Sequence, residues 1–408
     1  MNLKEDALKL HSDNQGKLKV KTKVKVEDET DLSLAYSPGV AEPCLKIKED
    51  PEKIYEYTNK SNFIAVVSNG SAVLGLGDIG ADASMPVMEG KAVLFKEFGG
   101  VDAFPICIDE SDPDKLIATV KSLAPTFGGV NLEDIKAPEC FYIEQRLKEE
   151  TDIPIFHDDQ HGTAIITLAG LINASKIVNK EMTDLKIVVN GAGAAGVSII
   201  KLLLSEGIED IVALDRHGII HSNRDDLDQS KKELAKITNP DNLTGDLSTA
   251  IKDRDVFIGV SVADVLAKEQ VELMAKDPIL FPMANPVPEI WPEDAFEAGA
   301  KVVGTGRSDY PNQVNNVMAF PGVLRGALDV RAKDINQEMK LAAAYALAEL
   351  VDEDKLAADY VIPKPFDKRV GPHVAAGVAQ AAVDSGVARI ETDFESELKY
   401  AKKIMTEQ

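Results

Sequence analysis

Apolar positions recur along the chain with two different periods, and the change of period marks out its elements. Leu3, Ala7, Leu8 and Leu10 open it with helical spacing. In "GKLKVKTKVKVE" the lysines at 17, 19, 21, 23 and 25 alternate with Leu18, Val20, Thr22, Val24 and Val26. Period two predicts a strand with one lysine face, and lysines suit an edge strand guarded against further pairing. "DLSLAYSPGVAEPC" reads as a loop punctuated by Pro38, Gly39 and Pro43, and "NFIAVVSNGSAVLGLGDIG" as two short strands in a hairpin around Asn69-Gly70. "SMPVMEGKAVLFKEFGG" predicts a helix with Pro86 in its first turn and Gly99-Gly100 past its end. Strand and helix then alternate through "VDAFPICID", "DPDKLIATVKSLAPTF", "GGVNLEDI", "APECFYIEQRLKEET" and "IPIFHDD".

After the helical stretch "GTAIITLAGLINASKIV" the alternation resumes with the stronger strands "LKIVVNG", "DIVALD", "DVFIGV", "ILFPMAN" and "KVVGTG". Uninterrupted apolar strands alternating with helices predict α/β architecture, here a Rossmann-type doubly wound parallel sheet. "NQEMKLAAAYALAELV" and "PHVAAGVAQAAVDSGVARI" are the clearest helices of the remainder. The expected division is an N-terminal α/β catalytic and metal domain over 1–162, a dinucleotide-binding domain over 163–387 and a helical tail over 388–408.

Composition narrows the functions open to such a chain. At 408 residues two domains are expected, and a net charge of −23 disfavours nucleic acid and anionic membranes as partners. No run approaches ~18 consecutive apolar residues, so no membrane-spanning helix is expected. The first residues lack the apolar core of a signal peptide. Three widely spaced cysteines, Cys44, Cys107 and Cys140, form no C-x-x-C pair and read as reduced, cytoplasmic residues.

G-x-G-x-x-G occurs twice. Gly75 to Gly80 follows the expected hairpin, which favours a tight turn over dinucleotide binding. Gly191-Ala192-Gly193-Ala194-Ala195-Gly196 instead follows the strand "LKIVVN" and opens a helix. There the first glycine permits the turn, the second admits the pyrophosphate, and the third packs helix on strand. Asp215 ends the next strand, placed to bind ribose hydroxyls, and it would repel a 2′-phosphate. NAD is therefore favoured, while Arg216 beside it can accept that phosphate and keeps NADP open.

Acids gather at the ends of strands, where open α/β sheets bind ligands: Glu133-Asp134 after one and Asp158-Asp159 after another. Carboxylates without cysteine make a hard oxygen site suited to Mg²⁺ or Mn²⁺. His157 and His161 flank the second pair, as ligands or, more commonly, as hydrogen-bonded structural residues. Tyr36 and Lys91 are polar residues among small or apolar neighbours, and a buried lysine can serve as a base.

Taken together, "LSLAYSPGVAEPC", "LGLGDIG", "MPVMEGKAVLFKEFGGVDAFPI", "NLEDIKAPECFYIE", "FHDDQHGTA", "GAGAAG", "MANPVPE" and "NNVMAFPGV" resemble the malic enzymes of the short bacterial type, over nearly the whole chain. The resemblance implies metal-dependent oxidative decarboxylation of L-malate to pyruvate and CO₂ with reduction of NAD(P)⁺, by a homodimer. It implies Lys91 as general base, Tyr36 as general acid, and Asp158 as the acid paired with the lysine. Glu133, Asp134 and Asp159 match the metal ligands. Asn285 and Asn315 match amides holding substrate carboxylate or nicotinamide, and the loop from Gly191 to Gly196 with Asp215 matches the cofactor site. An arginine found before "LGLGDIG" in larger members is Ala72 here, which leaves the backbone amides of Gly75 to Gly80 as one way to hold the second carboxylate of malate. On the same scaffold the alternative is a non-redox oxaloacetate decarboxylase, against which the intact glycine loop and Asp215 argue.

Overall fold

A computed structural model describes residues 2–73 and 75–406, so Leu74 of "LGLGDIG" lies outside it. Two sheets organise the chain. The first contains β1 (Phe63–Ser68), β2 (Asp102–Cys107), β3 (Gly129–Leu132) and β4 (Ile155–His157), in the order β2-β1-β3-β4 and parallel throughout. Pro105, which has no N–H to donate, sits on the edge strand β2, where its cost is least.

The second sheet contains β5 (Ile187–Asn190), β6 (Ile211–Asp215), β7 (Gly218–Ile219), β8 (Val256–Gly259), β9 (Ile279–Pro282) and β10 (Val302–Val303). Its order is β10-β9-β8-β5-β6-β7, parallel except for the β6–β7 pair, as a doubly wound dinucleotide fold requires. The helix Asp158–Val178 joins the two sheets, and its Ile165 and Leu168 share one core with Ile64 of β1 and Val189 of β5. This helix is long and apolar enough to cross a membrane by length and composition, but 72% of its most apolar window is buried within the protein, the situation of a core helix.

The C-terminal helices tie this core to the first sheet. Phe320–Asp329 lies against Gly80–Gly99, with the Phe95 and Phe320 ring centroids 4.7 Å apart. A Cβ at Gly99 would stand 2.8 Å from the Pro321 carbonyl, so the close approach depends on glycine. Phe394–Thr406 then packs on Val370–Asp384.

Four local expectations are corrected. Residues 17–26 form no strand, and both faces are exposed, with Val20 at 90% and Val24 at 62%. Alternation makes a strand only where a sheet edge receives it, and no described strand pairs with this segment. The expected loop after it contains the helices Glu29–Ala35 and Ala41–Glu49, the first capped by the Asp28 side chain, which accepts from Asp31 N. Among the described residues no hairpin forms at Asn69-Gly70: β1 pairs in parallel on both sides, and the chain beyond it shows an isolated Val73–Gly77 bridge. Both predicted helix starts also move upstream. Pro86 lies inside a helix that begins at Gly80, and Asp158 and Asp159 form the first turn of theirs.

Candidate active site

Lys91 projects from the helix Gly80–Gly99 toward the ends of β3 and β4 and is 8% exposed. Its Nζ lies 2.6 Å from Asp158 Oδ2 and 2.7 Å from Glu133 Oε1, and 4.2 Å from the centre of the Phe320 ring. Burial works against the ammonium, yet the carboxylates of Asp158, Glu133 and Asp159 outweigh it and hold Lys91 well above the ordinary lysine range. Asp158 is itself pushed up to about 6 by burial, against the attraction of Lys91. Two amides absent from the sequence-based expectations fix these acids. Asn316 Nδ2 donates to Asp158 Oδ2 at 2.5 Å, and Asn131 Nδ2 donates to Glu133 Oε2 at 2.8 Å. Gly162 makes room for the arrangement, since a Cβ there would lie 1.8 Å from Asp158 Oδ1.

Glu133, Asp134 and Asp159 each offer a carboxylate oxygen within 4.8 Å of the others. The end of β3 supplies the first two and the first turn after β4 the third, and the Asp134 N–H donates to Asp159 Oδ2 at 2.8 Å. Asp134 takes a left-handed backbone with φ of 53°, a conformation that costs a non-glycine residue free energy and is a mark of sites. Burial raises Asp159 to about 6. A trio of hard oxygen donors, two buried and Asp159 half-buried, with one lysine to offset its charge, fits Mg²⁺ or Mn²⁺. The histidines take no place in the trio: His161 Nε2 is bonded to Glu144 Oε1 at 2.6 Å, and His157 is fully buried with Nδ1 4.0 Å from Asp159 Oδ2.

At the end of β5 the three glycines of the second motif have separable reasons. Gly191 has φ of +125°, and a Cβ would meet the Val260 carbonyl at 2.5 Å. Gly196 passes so near β5 that a Cβ would lie 1.8 Å from the Gly191 carbonyl. Gly193 faces open space and caps the helix Ala194–Ser205, leaving Ala192, Ala194 and Ala195 around free amides. A cavity of about 570 Å³ runs from here to Asp215. Asp215 is engaged by Arg224 through both guanidinium Nη atoms, at 2.8 and 3.2 Å, and by Lys231 at 3.2 Å. Burial opposes its ionisation, but these bonds and the His217 amide keep Asp215 below the usual carboxylate range. Its repulsion of a 2′-phosphate is thus largely offset, which the sequence conceals because both cations lie beyond β7.

The remaining predicted residues are not all brought to Lys91. Tyr36 stands at the end of the helix Glu29–Ala35, 70% exposed, and its phenol makes no hydrogen bond to a described residue. Asn285 is exposed just past β9. Asn315 uses its side-chain oxygen to cap the turn Asn316–Met318, accepting from Val317 N at 2.9 Å, and its neighbour Asn316 is the one that reaches Asp158. The amides of Leu76, Gly77, Ile79 and Gly80 donate to the Val73 and Gly70 carbonyls, which removes them as an anion nest.

A buried lysine clamped by two acids, an adjoining carboxylate trio and a glycine-loop dinucleotide cleft together define an NAD(P)-linked oxidoreductase acting on a small substrate. Comparison with known proteins narrows this. The model of the malic enzyme N-terminal domain matches residues 15–113 and 110–148, and that of the malic enzyme NAD binding domain matches 160–383. A bifunctional malic/malolactic enzyme of Bacillus subtilis is 64% identical over 99% of both chains. An NAD-dependent malic enzyme of Geobacillus stearothermophilus is 58% identical over 92% of this chain and 78% of its own. The crystal structure of malic enzyme from Pyrococcus horikoshii superposes with a TM-score of 0.96 at 48% identity, covering 99% of this chain and 96% of the other. The chain belongs to the malic enzyme family, decarboxylating malate dehydrogenases whose members here include both NAD- and NADP-dependent relatives.

Proposed function

We propose that Lys91, Tyr36 and a divalent cation held by Glu133, Asp134 and Asp159 carry out the oxidative decarboxylation of L-malate in this chain, with NAD⁺ preferred and NADP⁺ accepted. The observation that carries the assignment is the position of Glu133, shared between the lysine clamp and the carboxylate trio. A cation on Glu133 would withdraw one of the carboxylates that keep Lys91 protonated and add positive charge beside it, so that Lys91 would release its proton to solvent and, as the neutral amine, could take the C2 hydroxyl proton of malate. Asp158, held by Asn316, keeps the amine aimed while it does so. When bound, the metal polarises the substrate oxygens and NAD⁺ accepts the C2 hydride. Asn285 and the amide nitrogen of Asn315 would hold the substrate carboxylate or the nicotinamide, as the family resemblance implies.

Tyr36 protonates C3 after CO₂ departs, and we assign it to the site of a second copy of the chain. Its exposure is shared by Leu3, Leu8, Val20, Val24 and Leu34, an apolar surface along the first 45 residues that a symmetric dimer would cover. The free cysteines Cys44, Cys107 and Cys140 agree with a cytoplasmic setting.

The test follows NAD(P)H, pyruvate and lactate from L-malate with Mn²⁺, using NAD⁺ and NADP⁺ in parallel. Equimolar NADH and pyruvate is the expected result. Lactate without net NADH would assign the malolactic reaction that the Bacillus subtilis relative is named for. Pyruvate from oxaloacetate alone would assign the decarboxylase instead.

A further inference from the structure

Away from Lys91, a cavity of about 720 Å³ opens between the helices Glu139–Glu150, Asp158–Val178, Ala194–Ser205 and Gln337–Glu349. Its walls are partly apolar, through Phe141, Tyr142, Ala164 and Leu202. Set into them is Lys340, 7% exposed, with no carboxylate oxygen of a described residue within 4 Å of Nζ. Its polar contact is His161 Nε2, at 3.4 Å. That nitrogen already faces Glu144 Oε1 at 2.6 Å. Burial would raise Glu144, but His161, Lys148 and Lys340 hold it far below the carboxylate range, so it only accepts. His161 Nε2 must then be the donor, and a ring nitrogen that donates has no lone pair left for Lys340. Burial, with Lys148 adding to it, lowers Lys340 to about 8, so near neutral pH it is mainly an ammonium with no carboxylate of a described residue in contact.

Gln160 also lines the cavity and is 3% exposed; its Oε1 accepts from Ser198 Oγ at 3.3 Å, and its Nε2 is buried away from the cavity space. The other charges of the cavity are engaged elsewhere or exposed. Lys148 is bound to Asp334 and to the Ile335 carbonyl, each at 2.9 Å, and Lys201 and Glu233 are exposed. Glu139 pairs with Lys136 through Oε1 at 3.9 Å, and its Oε2 is buried with no hydrogen-bond partner, so this acid would repel a carboxylate placed against it and leaves the Lys340 end as the one suited to an anion. A buried cation with no carboxylate oxygen of a described residue within 4 Å, set in a partly aromatic and aliphatic wall, matches an anion with an apolar body.

We propose that this cavity is a second ligand site, binding a small organic carboxylate through Lys340 while its body rests on Phe141, Tyr142 and Leu202. Pro138, Phe141 and Ser230 also line the dinucleotide cavity, so a carboxylate here would rest on a wall of the cofactor site. The test uses benzoate as the probe, titrated by saturation-transfer NMR into the whole enzyme saturated with NAD⁺ and Mn²⁺. Lys340→Met is expected to weaken benzoate by at least about tenfold, the loss of one charge-assisted hydrogen bond. Lys340→Arg and Lys91→Ala are expected to retain it. Gln337→Trp, which leaves Lys340 in place and fills the mouth from a half-buried position, is expected to abolish it even if Lys340→Met fails to fold. Binding unaffected by Lys340→Met or Gln337→Trp would overturn the proposal, as would loss of binding in Lys91→Ala or no binding up to about 10 mM. Inorganic phosphate competing as well as benzoate would also overturn it, because the site would then be reading charge without the apolar body.

Discussion

If Tyr36 serves the partner's Lys91, two inactive chains should repair one another. Tyr36→Phe removes the acid and Lys91→Ala the base, and each homodimer then lacks one group in both of its sites. A heterodimer has one site with neither group and one with both, because the two residues reach a given site from different chains. Random exchange of equal amounts makes about half the dimers mixed, each with one of two sites intact, so about one quarter of wild-type activity should return. Each variant alone should lose a factor of about 10² to 10⁴, the usual worth of general acid–base catalysis, so a return to one quarter is unmistakable. The assay is pyruvate formation from L-malate after the variants are mixed under conditions of subunit exchange, with mixed dimers counted by native mass spectrometry of differently tagged chains. Mixed dimers present in quantity with no recovered activity would refute the trans arrangement. The 70% exposure of Tyr36 would then need a closure within one chain to bring it to Lys91.

Gly162→Ala places a methyl 1.8 Å from Asp158 Oδ1, so the carboxylate must move and Lys91 with it; kcat should fall by about 10- to 100-fold. Mn²⁺ affinity, read by electron paramagnetic resonance, should stay within about threefold, and a fall to match kcat would place the damage in the trio instead. Arg224→Leu strips Asp215 of its bidentate partner, and the ratio of kcat/KM for NADP⁺ to that for NAD⁺ should drop by about tenfold or more; an unchanged ratio would mean Arg224 does not offset Asp215. Glu397 is pushed up to about 9 from 4.5 by burial, with Asp329 adding to the rise and Arg325 opposing it. Because the folded value is the higher one, its stabilisation is full below about pH 4.5 and drains away as the pH climbs toward 9. Glu397→Gln, a permanent neutral stand-in, should match wild type near pH 5 and melt at least about 2 °C higher near pH 8.5, by calorimetry; equal melting temperatures at both would exclude this carboxyl as the source.

What the sequence made legible follows from how local each cause is. The glycine loop could be read because its three requirements, turn, approach and packing, all lie within six adjacent positions and one strand-to-helix junction. The acids of the trio could be read because strand ends are where parallel sheets bind ligands, and "NLEDI" and "FHDD" both end strands or begin the turn after. Asn316 could not be read in the same way. It is separated from Asp158 by 158 positions, and nothing in "NNVMAFPG" tells the capping amide from the one that reaches the acid. Arg224 escaped for a related reason, since β7 turns the chain back antiparallel and delivers it to Asp215. The lysine-alternating segment failed in the opposite sense. Its period is as clean as any in the chain, yet an alternating pattern only says that two faces differ, and burial of one face depends on a partner surface. The same condition governs Tyr36. A local pattern can name the residue, but under the proposed dimer Tyr36 would have a site only when a second copy of the chain is present. On that proposal the exposed apolar run around it would be half of an interface, which the mixed-dimer assay tests together with Tyr36.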